Sequence, residues 1–92
     1  MEMLLVEIKH KEYILRVNDK SGEAFIHCEV NEWSHSVYRQ ILDSLTYIEM
    51  YLKSKKYTRI LTVTPNYKFA ELFCFSYLKD HNEYKVYVWE LN

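Results

Sequence analysis

The chain has 92 residues, of which 49% are apolar and 16% aromatic, and its formal net charge is −1. This length and composition predict a single globular domain, residues 1–92, with one modest core. A charge so close to zero gives no footprint for nucleic-acid or membrane-surface binding, so we expect neither partner. With no apolar run of membrane-spanning length and no signal-peptide pattern, we expect a cytoplasmic protein.

The first thirty residues predict an antiparallel meander of three strands. The strand-forming runs are residues 2–9, 13–17 and 23–30. The one strong turn signal, residues 18–22, contains the only glycine, Gly22, which can take positive φ. In the third strand, Phe25 and His27 share one face and Ile26 and Cys28 share the other, because side chains alternate along a strand.

The rest of the chain predicts helix, strand, helix and strand. Ser34 or Ser36 can cap a long helix that ends near Ser54. Its apolar stripe has helical spacing: Val37, Ile41, Leu45, Ile48 and Leu52. The next elements are a strand over residues 59–64, a second helix over residues 67–80 and a last strand over residues 84–91. The predicted class is therefore α/β in the mixed α+β sense, with the order β-β-β-α-β-α-β.

This order resembles a truncated GNAT fold, that of the GCN5-related N-acetyltransferases. One local match is a strand that ends at Val30 and runs through a short loop into a long helix. Another is Thr64, Pro65 and Asn66 after the next strand. The steps Trp33-Ser34 and Pro65-Asn66 are also similar to those of small phage-encoded GNAT-like proteins. The resemblance implies a single GNAT-like domain and, for a phage protein, a location in the host cytoplasm.

The resemblance also implies an acetyl-CoA site that this chain does not complete. GNAT enzymes hold the pyrophosphate on a glycine-bearing loop at a helix N-terminus. The matching residues 31–38 contain no glycine, and they place the acidic Glu32 and the bulky Trp33 where a bare backbone is needed. The position of the family's general-acid tyrosine falls near Phe73 and Cys74, which leaves Tyr77 as a stand-in. We therefore expect no cofactor and no catalytic residue.

Other reactive side chains form no recognisable centre. His27 and Cys28 point to opposite faces of one strand, so with His35 they do not make a metal site, and we predict none. Cys74 lies between two phenylalanines, a setting that raises a thiol pKa and makes it inert. Cys28 and Cys74 are expected to be two buried thiols rather than a disulfide.

The nine tyrosines exceed what so small a core can bury, and tyrosine and tryptophan are both enriched at protein interfaces. The predicted contact residues are Trp33, Tyr38, Tyr47, Tyr51, Tyr87 and Trp89. We thus expect a non-catalytic protein-interaction domain, such as a small phage protein that binds and inhibits or redirects a host factor. The alternatives are a divergent acetyl-CoA-dependent N-acetyltransferase using the loop at residues 30–36, and a homodimer whose last strands pair across a two-fold axis.

Overall fold

A computed structural model describes residues 2–64, 70, 73 and 75–91. This part of the chain forms one helix and a six-stranded mixed sheet, which confirms the mixed α+β class. The elements are β1 (Glu2–Lys9), β2 (Tyr13–Lys20), β3 (Glu23–Val30), α1 (His35–Ser54), β4 (Arg59–Thr64), β5 (Ser76–His81) and β6 (Tyr84–Glu90).

The strands lie in the order β1-β2-β3-β4-β6-β5. All neighbours are antiparallel except β3 and β4, which are parallel and are joined through α1. Two residue pairs, Ala24 with Ile60 and Phe25 with Leu61, define the register of this parallel pair. Beyond them, the Thr62 hydroxyl donates a hydrogen bond of 3.1 Å to the Ile26 carbonyl, so a side chain continues the connection where the backbone ladder stops.

The turn between β2 and β3 explains the position of the only glycine. Ser21 and Gly22 both have positive φ, 56° and 86°, the pattern of a two-residue type I′ hairpin turn that suits twisted strands. The Gly22 amide also donates to an Asp19 carboxylate oxygen at 3.0 Å. The predicted turn is confirmed at Ser21 and Gly22. Strand β2, however, continues to Lys20 instead of ending at Val17.

Helix α1 begins and ends as its sequence predicts. The Ser34 hydroxyl accepts a hydrogen bond from the Val37 amide at 3.1 Å and caps the first turn. At the other end Lys56 has a φ of 75°, and the Tyr57 amide donates to the Leu52 carbonyl at 3.0 Å, the pattern of a Schellman motif. The five residues of the predicted stripe are all buried.

The core lies between α1 and one face of the sheet, which we call the covered face. The helix stripe packs there with buried strand residues: Leu15, Val17, Ala24, Ile26 and Ile60. The opposite side of the sheet, which carries Phe25, Leu61 and their neighbours in register, we call the open face. Because strand side chains alternate, each strand contributes to both faces.

The predicted second helix is wrong over its last residues. Residues 76–80 belong to β5, which pairs antiparallel with β6 through a two-residue turn with Asn82 at a φ of 59°. Pairing with β6 overrides the local helical spacing of the apolar residues, since propensity is a weak prior against tertiary context. The other residues predicted for this helix lie outside the described part of the chain, apart from Ala70, Phe73 and Phe75.

The position of β6 is unfavourable for the homodimer predicted through the last strand, which stays a prediction. β6 lies between β4 and β5, and its residues Tyr84–Val88 are paired on the β5 side while Lys85–Glu90 are paired on the β4 side. Pairing with β4 and β5 already uses most of the backbone groups that a second copy would need. The strands at the edges of the sheet are β1 and β5.

Candidate functional site

The six aromatic residues predicted as one contact surface do not lie together. Tyr47 is 58% exposed, whereas Tyr87 is 8% exposed and belongs to the core. Four others are half-buried against the core: Trp33, Tyr38, Tyr51 and Trp89. Tyr38 and Tyr47 are nine positions apart, which places them about 180° apart around the helix axis. These residues therefore occupy different sides of the domain.

At the start of α1, aromatic rings pack on each other. The Phe73 ring is buried and stacks on Tyr38 at 5.2 Å and on Trp33 at 6.2 Å between ring centroids. Offset stacking of this kind adds stability beyond the buried area. Trp33 and Tyr38 therefore hold the loop that precedes α1 against the core.

The end of the sheet has a second aromatic group. Trp89 meets Phe75 edge-on at 5.8 Å, and Tyr87 meets Tyr77 edge-on at 5.9 Å. Tyr87 and Trp89 share a strand face, and it is the covered face, since Trp89 pairs with Ile60. Trp89 thus contacts the buried Phe75, whereas Tyr87 contacts Tyr77, which is 54% exposed on the edge strand β5.

The residues needed for acetyl transfer are placed unfavourably for it. Tyr77 lies on the edge strand β5 rather than on a second helix. Its hydroxyl donates to an Asp80 carboxylate oxygen at 2.9 Å, and this hydrogen bond raises the Tyr77 pKa. A phenol that holds its proton more tightly is a weaker general acid at neutral pH. The Ser34 hydroxyl is already engaged in capping α1.

The other reactive groups are not brought together. Burial, with a smaller contribution from the charge of Glu29, raises the Cys28 pKa to about 12, so this thiol is protonated and inert at neutral pH. His27 lies on the opposite face from Cys28 and contacts Glu29 at 3.1 Å. No cluster of three or more metal-binding side chains occurs among the residues that the structure describes.

The open face carries an apolar strip that runs across three strands. Its members are Phe25, Leu61, Val63, Val86 and Val88, which we call the open-face strip. Their register makes two rows, because Leu61 lies beside both Phe25 and Val88, and Val63 lies beside Val86. Leu61, Val86 and Val88 are buried, Phe25 is half-buried and Val63 is 40% exposed. Side chains packed on each other here present a continuous apolar floor.

A groove of about 590 Å³ lies over this strip. Leu78, which is 42% exposed at the irregular point of β5, forms part of its wall. Two acidic side chains at the border already have partners, since Glu23 pairs with Arg59 at 3.0 Å and Glu2 accepts from Asn18 at 2.9 Å. The groove therefore combines an apolar floor with a polar and charged border, the usual composition of a binding site.

The comparisons with known proteins add no relative: no family model, curated protein or solved structure matches this chain. Among the described residues, no helix has the length and apolar character needed to cross a bilayer. The open-face groove, at about 590 Å³, is larger than a second pocket of about 280 Å³ lined by Asp19, Tyr57 and Arg59.

The sequence contains a pattern that indicates the open face, and it lies in two strands rather than in the aromatic residues. Residues 59–64 and 84–91 have apolar side chains at both odd and even positions. Such strands are typical of sheets covered on both faces. Only one face is covered by a helix in the described structure, which leaves the apolar residues of the other face as the binding candidates.

Proposed function

We propose that this chain is a non-catalytic domain that binds another protein through the open face of its sheet. The observation that carries the proposal is the open-face strip, an apolar floor of five side chains, four of which line the groove above it. Contiguous apolar surface with a polar border is typical of protein interaction sites. Burial of Val63 and Leu78, which are partly exposed, would supply hydrophobic free energy to the complex.

The proposal extends to the kind of partner and to the family. The order of the sheet and the short parallel contact of β3 with β4 support a truncated GNAT-like domain. The similarity of Trp33-Ser34 and Pro65-Asn66 to phage-encoded GNAT-like proteins supports a host factor as the partner, bound in the host cytoplasm. In this proposal the scaffold keeps the fold of an acetyltransferase and uses it for binding.

The second candidate function is a divergent acetyl-CoA-dependent N-acetyltransferase. It is favoured by one observation, the parallel strands β3 and β4 whose register ends after two pairs, next to a loop that enters a helix N-terminus. Against it stand the glycine-free loop, the stacking of Trp33 on Phe73 and the position of Tyr77 on β5.

A calorimetric titration with acetyl-CoA and with CoA separates the two candidates. The binding-domain proposal predicts no detectable heat from the folded protein. A dissociation constant below about 100 μM, equivalent to roughly 5.5 kcal/mol, would favour the enzyme instead.

The binding surface is tested with a matched pair of variants. Val63→Asp places a charge on the open face, whereas Met50→Asp places the same charge on the exposed side of α1, where Met50 is 67% exposed. Immobilised wild type, Val63→Asp and Met50→Asp are compared for the proteins they retain. We expect a partner that wild type and Met50→Asp retain and Val63→Asp loses. Val63→Thr, which keeps a β-branched side chain, is the second variant if Val63→Asp does not fold.

Retention of the same proteins by all three folded variants would contradict the open face as the binding surface. Circular dichroism melting of each variant provides the control for folding. A partner lost only by Met50→Asp would move the interaction to the outer side of α1.

A further inference from the structure

The open-face groove restricts the backbone conformation of its occupant. The strands beneath it are already paired on both sides, β4 with β3 and β6, and β6 with β4 and β5. An extended segment lying on this face would find no backbone partners, and buried backbone groups without partners are costly. A helix satisfies its own backbone hydrogen bonds and presents an apolar stripe. The occupant best suited to this face is therefore a helix.

The border of the groove restricts the charge of that helix. Lys20 and Lys79 both line the groove and are exposed. Neither lysine takes part in an ion pair among the described residues, whereas Glu23 is neutralised by Arg59. Lys20, Lys79 and Arg59 thus outnumber the border carboxylates Glu2 and Glu23 by one positive charge, although the whole chain has a net charge of −1. Electrostatic complementarity then favours a partner with acidic residues.

We infer that the open-face groove binds an amphipathic helix of another protein, with its apolar stripe on the open-face strip and acidic residues beside Lys20 and Lys79. The inference rests on the proposed function and specifies the partner. A second copy of this chain fits the charges less well, because a two-fold interface would bring two borders with the same positive excess together. The complex would have three layers, with helices on both faces of one sheet.

The first arm of the test uses two synthetic helical peptides with the same leucine stripe. One has glutamate at its flanking positions and the other has lysine. Each is titrated into the ¹⁵N-labelled protein and followed by amide chemical shifts and by calorimetry. We expect the glutamate peptide to shift the amides of Phe25, Leu61 and Val86 and to bind about tenfold more tightly than the lysine peptide.

The second arm removes the two cations. One double variant, Lys20→Gln/Lys79→Gln, loses both cations at the groove. The control double variant, Lys11→Gln/Lys53→Gln, loses the same charge away from the groove. We expect the first double variant to weaken the glutamate peptide about tenfold and the second to leave its affinity unchanged. Higher salt should weaken binding to the wild type and should have less effect on the first double variant.

Several results would overturn the inference. Equal affinity for both peptides, or shifts confined to α1, would exclude an acidic helix on the open face. Self-association of the wild type that Val63→Asp abolishes would identify a second copy as the occupant. A protein partner could need Val63 yet bind the double variant Lys20→Gln/Lys79→Gln as tightly as the wild type. That result would leave the proposed function intact and would contradict only the acidic charge of the bound helix. The absence of any Val63-dependent partner would instead remove the proposed function itself.

Discussion

The two faces of the sheet are built from the same strands, yet they differ in what covers them. On the covered face the helix stripe closes over residues such as Leu15, Val17 and Ile60, and all of them are fully buried. On the open face the strip is packed at its floor but leaves Val63 and Leu78 partly exposed. The helix thus buries the apolar side chains of one face completely, whereas the other face leaves two apolar side chains in contact with solvent.

Charge follows the same division. The described residues of the covered face surround a core without ionised side chains. The open face carries ion pairs beside its strip, including Arg16 with Glu7 and Arg59 with Glu23. Exposed pairs of this kind contribute little to stability.

Truncation of one helix residue on each side of α1 gives the largest predicted contrast in stability. Ile48 is fully buried in the covered face, whereas Met50 is exposed on the same helix. Ile48→Ala should lower the free energy of unfolding by about 2–5 kcal/mol, because it leaves a cavity in the core. Met50→Ala should change it by no more than about 0.5 kcal/mol. Urea denaturation of both variants measures the difference, and equal losses would contradict the assignment of the covered face.

The same substitution on the two faces sharpens the comparison further. Val17 is fully buried on the covered face, and Val63 lies on the open face. Val17→Thr should cost about 1–3 kcal/mol, because its hydroxyl is buried without a partner. Val63→Thr should cost about 0.5 kcal/mol or less, since its hydroxyl can reach water. Thermal unfolding reports both values, and a larger loss for Val63→Thr would show that the open face is covered in the free protein.

A change in the turn between β2 and β3 affects both faces together. Gly22 has a φ of 86°, which an alanine adopts only with strain, although a Cβ there would meet no other atom within 4 Å. Gly22→Ala should therefore cost about 1 kcal/mol through backbone conformation alone. Lys56→Gly, at the positive φ that follows α1, should stabilise by a similar amount and serves as the control of opposite sign. Equal signs for the two variants would contradict the turn and cap assignments.

The smallest predicted effect is a pH dependence at the end of the sheet where this turn lies. The Tyr57 hydroxyl donates to an Asp19 carboxylate oxygen, and this bond, with a second from the Gly22 amide, lowers the Asp19 pKa. A lowered carboxyl pKa gives stability that is present above the unfolded value of about 3.9 and is lost as the pH falls through the folded value. The same bond raises the Tyr57 pKa. The stability that it provides is therefore also lost at alkaline pH, as the pH rises beyond about 10 and Tyr57 ionises.

Tyr57→Phe removes the hydroxyl and tests this linkage. Unfolding midpoints of the variant and the wild type should differ most at neutral pH and should converge at acid pH. Tyr47→Phe, an exposed tyrosine on α1, provides the control. A constant difference across the acid range would contradict the role of ionised Asp19.

Much of the fold could be predicted because its signals are local. The bounds of β1, β3 and β4, the cap at Ser34 and the five-residue stripe of α1 all match expectation. β5 could not be predicted, because its pairing with β6 is set by tertiary contacts and its turn has Asn82-Glu83 instead of an Asn-Gly signal. The spacing of Phe69, Leu72 and Phe73 predicts a helix that continues to Asp80. In the structure the residues from Ser76 onward form a strand instead.

The candidate site could be predicted less well, since a surface depends on register between strands. Helical spacing alone could have separated Tyr38 from Tyr47. By contrast, Phe25 lies beside Leu61, and Leu61 beside Val88, because of the strand order. Local sequence patterns do not predict that order. The GNAT resemblance, the host partner and the contact role of the aromatic residues stay predictions.

Methyl NMR with a soluble paramagnetic agent, recorded with and without the glutamate peptide, tests the central claim most directly. We predict that binding shields the Val63 and Leu78 methyl groups on the open face from the agent, while Leu42 and Met50 on the outer side of α1 stay accessible. Shielding of Leu42 and Met50, with Val63 and Leu78 unchanged, would contradict the open face as the binding surface.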